Sequence, residues 1–388
     1  MRLLFVIDSL GASGAEHSTS VVLPLLRRRG HEIHVATLYD AGFGDEDRVR
    51  DQGFTVTPLR HTSWTGRLAE LRRTVRAFDA DVVHTSLFTC DVVGRMACLG
   101  LRAQVVSTLV STPYCAERMA DPAVARWKVR ALQVVDALTA RLGADRMQAV
   151  SEGAADENAV ALRYPRTRIS VVERGRDRLS LGVSSAERRA RVRESLGIAL
   201  DAPVVLAVGR QEYAKGLDDL VRAVNLLVAD LPGLVVLIAG REGNASASLR
   251  TALDACSAAR ACIRVLGHRH DVADLMCAAD VLAIASRYEG TAGTAIEAMA
   301  LGLPVVATDM PGPRGVLEHR QNCLLVPVAD APAMAAALAL TLTDTELATH
   351  LVAGGLTDFE TRFTVEAAVD RLEAFYRDVV ARGRKVGR

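Results

Sequence analysis

Two cations and two carboxylates in the second half of the chain have the types and spacing to hold an anionic group and hydroxyls of a ligand. Arg210 and Lys215 stand five residues apart in VVLAVGRQEYAKGL, just after an apolar run that ends in Gly209. Two positive side chains at the mouth of a strand neutralise a diphosphate, each charge-assisted bond contributing about 1.5 to 3 kcal/mol. Lysine is scarce: of 47 basic residues only Lys128, Lys215 and Lys385 are lysine. Arginine therefore supplies the general positive surface, and a lysine inside a motif is informative. Glu289 and Glu297 lie eight residues apart in SRYEGTAGTAIEAMALGLPVVAT, separated by the turn Gly290-Thr291-Ala292-Gly293-Thr294. That turn precedes the helix-forming stretch AIEAMAL, so its backbone N–H groups gather at a helix amino terminus, where an anion or a sugar oxygen is held. With the first Glu in the loop and the second about one turn inside the helix, both carboxylates can accept hydrogen bonds from one ligand's hydroxyls. Each also has an ordinary reading: Glu297 as a solvated helix residue, Glu289 as a partner of the helix dipole, and the two cations as a surface pair.

Strands must carry these loops. Residues 2–8, 32–38, 81–84 and 104–110 are short apolar, β-branched runs separated by helical periodicity, as at 15–29 and 66–78. A second series occupies 203–209, 234–240, 262–266, 280–285, 304–308 and 323–327. Runs that are apolar throughout, rather than alternating, suit strands buried on both faces of a parallel sheet. The fold class is thus α/β, with two doubly wound, Rossmann-like domains whose ligands bind at the carboxyl ends of the strands. The charged, apolar-poor stretch 174–202 reads as a linker with a lead-in helix, placing the boundary near residue 180; after Pro327 only helical pattern remains.

Composition agrees with this and excludes other classes. A chain of 388 residues holds two or three domains. Hydrophobic residues make up 50% and charged residues 24%, which rules out long disorder. With 47 basic against 46 acidic side chains, no general field draws the chain to nucleic acid or a bilayer. Asp8 interrupts the first apolar stretch too early for a signal peptide, and no run approaches the ~18 apolar residues of a membrane span. The expectation is a cytoplasmic protein. Seven cysteines without a C-x-x-C pair read as reduced thiols.

The pairing of GRQEYAKG with the E-x7-E segment EGTAGTAIEAMALGLPVVAT resembles the retaining glycosyltransferases of family 4, the glycosyl transferases group 1. Further family-like pieces are GASGAEHSTSVVLPLLRRRGHEIHV at 11–35, DADVVHTSL at 79–87, AVSEGAADE at 149–157, VLGHRHDVADLMCAADVLAIAS at 265–286 and NCLLVPVADAPAMAAAL at 322–338, which together span nearly the whole chain. The resemblance implies the GT-B architecture, two Rossmann-like domains facing across a cleft: residues 1–180 for the acceptor, 181–364 for the nucleotide-sugar donor, and a helix in 365–388 packing back on the first domain. It implies that Arg210 and Lys215 bind the donor diphosphate beside Gly209, Glu289 the sugar hydroxyls and Glu297 the ribose. Backbone from Gly290 through Thr291, Ala292 and Gly293 to Thr294 would contact sugar and phosphate, and the main chain at His268 and Arg269 the base. The loop from Gly11 to Gly14 would close over the donor. The chain departs from the family in having Ser111 and Thr112 where many members place a histidine, VVERGRD in place of a Pro-Asn-Gly turn, and Gly315 for a glutamate. The acceptor-side candidates are Ser111, Thr112 and His84, the last more readily read as a strand-end histidine bonded to backbone.

A nucleoside diphosphate is already an activated leaving group, so such an enzyme mainly stabilises the charge that grows on phosphate. The expected reaction is front-face displacement of a hexose from a donor, UDP-sugar by family frequency, to an acceptor hydroxyl whose type the sequence does not name, with retention. No Asp-x-Asp stands near the phosphate site, so neither metal nor other cofactor is expected. His268, His270 and Asp271 read as base contact or surface rather than as metal ligands. The GASGAE loop lacks the spacing of a dinucleotide site. The basic amphipathic stretch 66–78, with Arg67, Arg72, Arg73 and Arg76, leaves a peripheral contact with the inner membrane open. The alternatives are a sugar-nucleotide epimerase or hydrolase of the same fold, and a degenerate sugar-nucleotide-binding protein.

Overall fold

The apolar runs become strands because each residue finds cover on its own side of a sheet. In the first sheet β1 (Arg2–Ile7), β2 (Glu32–Thr37), β3 (Thr55–Pro58), β4 (Val82–Ser86), β5 (Gln104–Leu109), β6 (Arg146–Ala149) and β7 (Ile169–Val171) run in the order β3-β2-β1-β4-β5-β6-β7. All the pairings are parallel. Along β1 the side chains alternate between two cores. Leu3, Phe5 and Ile7 pack with Leu23 and Leu26 on one face, and Leu4 and Val6 with Leu71, Val75 and Val93 on the other. The second sheet holds β8 (Val204–Val208), β9 (Val235–Ala239), β10 (Ile263–Gly267), β11 (Val281–Ile284), β12 (Val305–Thr308) and β13 (Leu324–Val326), in the order β10-β9-β8-β11-β12-β13. It is again wholly parallel. Val204 and Leu206 face one core with Met299, and Val205 and Ala207 the other with Leu220 and Val224.

This computed structural model describes residues 1–11, 14–39 and 45–386. Residues 1–115, 124–176 and 365–388 form one compact unit, and 116–123 with 177–364 another. The chain passes between them at Cys115–Ala116, Ala123–Val124, Arg176–Asp177 and Thr364–Val365. Within the first unit, Val365 N–H donates to the Arg176 carbonyl at 3.1 Å. The helix Val365–Val386 covers one face of the first sheet, where Val369, Leu372, Phe375, Tyr376 and Val379 join the core of Leu3 and Phe5.

Every apolar run singled out in the sequence is a strand. β3, β6 and β7 were not among them, because TVTP, RMQA and ISV are too short or too polar to stand out. The lead-in helix in 174–202 is a short turn of helix, Arg178–Leu181, followed by Ala186–Ser195, which Ser185 caps by accepting from Arg188 N–H.

Candidate active site

The second sheet reverses its winding between β8 and β11, which lie side by side. Loops leaving the two strands at such a switch point open a crevice at their carboxyl ends. After β8 the chain runs through Gly209 into a 3-10 turn, Tyr213–Lys215, and enters the helix Leu217–Leu227 at Gly216. Gly216 has φ +56°, and a Cβ there would stand 2.1 Å from the Ala285 carbonyl oxygen, so only glycine lets the two loops touch. Arg287, on the loop after β11, joins them. Its N–H donates to the Ala214 carbonyl at 2.7 Å and its Nη1 to the Tyr213 carbonyl at 2.8 Å. Its Nη2 reaches Asp218 at 2.9 Å and Asp219 at 2.6 Å, and the guanidinium lies 4.3 Å from the centre of the Tyr213 ring. Burial alone would lower the Arg287 pKa, but the Asp218 and Asp219 carboxylates raise it above the ordinary arginine value. Burial raises Asp219, whereas for Asp218 burial, the largest single effect, is outweighed by the hydrogen bond and charge of Arg287 together with the Arg222 charge and a backbone hydrogen bond, and its pKa is lowered.

On this frame Lys215 and Glu289, 74 residues apart in sequence, meet: Lys215 Nζ donates to Glu289 Oε1 at 2.8 Å. Ser286 Oγ donates to the same oxygen at 2.5 Å. The lysine stem lies over Gly209, where a Cβ would come within 3.0 Å of Lys215 Cδ. From the other side Gly312 closes on Glu289, leaving only 1.7 Å between a Cβ and the Glu289 carbonyl oxygen. Gly209 thus makes room for the lysine stem and Gly312 for the Glu289 backbone.

The glycine-rich turn follows at once. Ala292, buried, takes φ +53° and ψ 61° and caps the helix Gly293–Leu301. A left-handed alanine is disfavoured by roughly 1 kcal/mol or more, and such backbone persists where its surroundings fix it, commonly at ligand sites. Beside it Thr291 Oγ1 is buried and finds no hydrogen-bond partner among the described residues. Gly293 and Thr294 open the helix, and Glu297 is half-buried on its second turn.

Arg210 is half exposed and its Nη1 pairs with Glu212 at 2.7 Å. After β10, His268 and His270 are exposed with their rings 4.6 Å apart in an edge-on arrangement. Arg269 spends its guanidinium on Asp271, at 2.8 and 2.5 Å.

The remaining candidates belong to the first unit. His84 is buried with both ring nitrogens engaged, Nδ1 with Tyr376 Oη and Nε2 with Thr108 Oγ1. Its partners are thus side chains and not the backbone. Burial pushes its pKa down to about 3. It lines a small cavity with Ser86, Gln148, Glu173 and Arg174. Ser111 is half-buried, its carbonyl accepting from Asn158 Nδ2 at 2.9 Å, and Thr112 is buried. Gly11 is buried beside Glu16, which accepts from Ser9 Oγ. Gly14 starts the helix Gly14–Arg28, and its carbonyl accepts from Arg174 Nη1 at 3.1 Å. Ala12 and Ser13, between those glycines, lie outside the described residues. Burial, then the nearby Arg176, push the Arg174 pKa down to about 9. The basic stretch 66–78 lies in a helix, Trp64–Phe78, whose apolar side is buried at Leu71 and Val75. Arg72 donates to the Ala97 and Leu99 carbonyls, and Arg67 to the His61 carbonyl.

Sequence reasoning missed Arg287, Ser286, Gly312 and Arg174. Only Arg287 left a signal, a charged residue directly after an apolar strand with the acid pair Asp218 and Asp219 at the start of another helix.

The strand orders, β3-β2-β1-β4-β5-β6-β7 and β10-β9-β8-β11-β12-β13, define a GT-B fold. Among solved structures, that of Anabaena Alr3699/HepE in complex with UDP-glucose superposes with a TM-score of 0.84 at 20% identity, covering 97% of this chain and 100% of that one. Residues 12–178 match the family described as Glycosyltransferase Family 4, and residues 202–344 the one described as Glycosyl transferases group 1. The chain is 31% identical over 329 residues to the 2-deoxystreptamine N-acetyl-D-glucosaminyltransferase of Streptomyces fradiae, covering 81% of this chain and 74% of the relative. It is 31% identical over 178 residues to the lipopolysaccharide core biosynthesis glycosyltransferase LpsE of Rhizobium meliloti, which is 46% of this chain and about half, 51%, of that relative. The chain belongs to the family 4 glycosyltransferases.

Proposed function

We propose that this enzyme transfers a hexose from a UDP-sugar to an acceptor hydroxyl with retention of anomeric configuration, donor on the second unit and acceptor on the first. The observation that carries the reading is the Lys215–Glu289 pair at the switch point, with Ser286 on the same carboxylate oxygen. Lys215, joined by Arg210 from the loop surface, stabilises the departing diphosphate. The amides of the turn from Gly290 to Thr294 add oriented dipoles. Glu289 accepts from sugar hydroxyls and Glu297 from the ribose, while backbone at His268 and Arg269 meets the base. The bond from anomeric carbon to phosphate oxygen breaks, the bond to the acceptor oxygen forms on the same face, and the acceptor proton passes to the departing phosphate. No side-chain nucleophile is needed, and charge stabilisation supplies the main rate gain. Holding both substrates in place adds to it. A relative that carries N-acetylglucosamine in its name and a structural neighbour holding UDP-glucose support the donor class.

The test is a thermal-shift panel of UDP-, GDP-, ADP- and dTDP-sugars, followed by transfer assays with and without acceptor. A cognate donor at a hundred times its Kd adds about 2.7 kcal/mol of stability. Transfer persists in EDTA, since the charge work is done by protein cations. Rapid consumption of donor without acceptor, or activity lost to chelator and restored by magnesium or manganese, overturns the reading.

A further inference from the structure

The segment VVERGRD departs from the Pro-Asn-Gly turn of the family, and neither the donor nor the acceptor roles above make use of it. Gly175 stands where that turn has its glycine, so Arg174 takes the place of the asparagine. In the first unit Arg174 borders a cavity of about 50 Å³, together with His84, Ser86, Thr108 and Gln148 from the sheet. Three of these form a row across neighbouring strands, since Ser86 is in register with Thr108, and Thr108 with Gln148. Buried polar groups require partners, and most of this row has them. Thr108 Oγ1 meets His84 Nε2, and Gln148 Nε2 donates to the Val172 carbonyl at 3.2 Å. That bond fixes which end of the amide is left over. Gln148 is 7% exposed, and its Oε1 is buried with no hydrogen-bond partner among the described residues.

The same cavity holds a cation without a counter-charge. Arg174 is half-buried, and its Nη1 donates to the Gly14 carbonyl at 3.1 Å. No carboxylate pairs with it among the described residues, and the Arg176 charge adds to its own. Glu173, its neighbour in sequence, lies 3.6 Å from Arg371. An acceptor lacking a donor and a guanidinium lacking an anion are each unfavourable when removed from water. Sulfate or a carboxylate satisfies only the guanidinium, because at neutral pH neither carries a hydrogen. Inorganic phosphate satisfies both. Its charged oxygens accept from Arg174 and from Ser86 Oγ, and its remaining P–OH donates to Gln148 Oε1. At roughly 10 to 15 Å³ for each water-sized atom, the cavity takes about four, as many as the ion has oxygens. We infer that this cavity is a binding site for inorganic phosphate, held by Arg174, Ser86 and Gln148. His84 forms part of its wall and is no ligand, since both ring nitrogens are engaged. The site lies wholly within the first unit and does not depend on the donor reading.

Isothermal titration calorimetry on the full chain at pH ~7.5, without donor and at constant ionic strength, compares inorganic phosphate, sulfate and glucose 6-phosphate. One phosphate binds per chain, and sulfate and the monoester, both without an acidic hydrogen at that pH, bind about tenfold more weakly or worse. Arg174→Asn, which restores the residue of the family's turn, weakens phosphate about tenfold or more and keeps the parent urea midpoint in phosphate-free buffer. Gln148→Leu abolishes the preference over sulfate and leaves sulfate binding unchanged. Should that variant unfold, Ser86→Ala takes its place, with phosphate weakened about threefold. Lys215→Ala and saturating UDP leave phosphate binding as it was. Absence of phosphate binding overturns the inference, as does sulfate or the monoester binding as tightly, or Arg174→Asn binding like the wild type. Displacement of phosphate by UDP would assign the ion to the diphosphate site instead.

Discussion

In the proposed mechanism Lys215 carries much of the chemistry; its ammonium is fixed by Glu289 and its stem lies over Gly209. Lys215→Ala lowers kcat by about a hundredfold to a thousandfold, the scale for removing one preorganised donor from a developing charge. The fold is expected to persist, because the lysine sits in a loop and is only partly buried. Glu289→Gln keeps an acceptor oxygen for a sugar hydroxyl but removes the lysine's counter-charge; its loss in rate is expected to be smaller than that of Glu289→Ala. Equal rates for wild type and Lys215→Ala would remove the lysine from the mechanism. A second residue-scale prediction concerns pH. His84 is neutral in the folded chain with a pKa of about 3, while an unfolded histidine titrates near 6.5. Its contribution is therefore full above pH ~6.5 and is lost as pH falls toward 3, because the unfolded chain binds a proton the folded one refuses. Asp91 opposes this, its pKa pushed up to about 7 by burial, so its penalty fades as pH falls. Comparing His84→Gln with wild type cancels the Asp91 trend. Relative to wild type the variant gains about 1.4 kcal/mol per pH unit between pH ~6 and ~4, read from urea unfolding. Parallel curves would show that His84 takes no part.

At the scale of elements, two glycines with the same left-handed backbone make different predictions. Gly197 has φ +60° and open space around it, whereas Gly216 has φ +56° and the Ala285 carbonyl at 2.1 Å from a would-be Cβ. Gly197→Ala costs about 1 kcal/mol from conformation alone. Gly216→Ala costs several kcal/mol, since the β8 and β11 loops must separate, and it also depresses activity by parting Lys215 from Glu289. Paired urea midpoints check this, and equal losses would mean that the loops do not rely on close approach. The same strands show what could be read beforehand. β1, β8, β9 and β11 were legible because their side chains are apolar on both faces. β6 was not, because Arg146 and Gln148 interrupt its apolar pattern and reach partners far along the sequence, among them Ser170 Oγ at 3.1 Å and the Val172 carbonyl at 3.2 Å. The E-x7-E spacing and the lysine were visible as candidates and gained meaning from the family resemblance. Arg287 required knowing that β8 and β11 are neighbours, which no local pattern states.

At the scale of the molecule, the first unit is assembled from stretches far apart in sequence. Val365, Val369, Leu372, Phe375, Tyr376 and Val379 complete its core, each burial contributing about 1.5 to 3 kcal/mol. Their sum is comparable with the whole stability of an ordinary domain. Deleting residues 365–388 is predicted to unfold the first unit while 177–364 remains folded, so limited proteolysis should digest residues 1–176 and spare 177–364. A truncated chain that melts like the intact one would refute this. The helix also carries Tyr376, whose hydroxyl meets His84, and Glu373, which accepts from His31 and Arg29. On the ribosome this helix emerges after all of 177–364, so the half translated first is finished last. Until then the side of β1 bearing Leu3, Phe5 and Ile7 stays uncovered, and a pause in translation across the second half prolongs that exposure. The nascent polypeptide's demand for chaperones is thereby governed by how quickly codons well downstream are decoded.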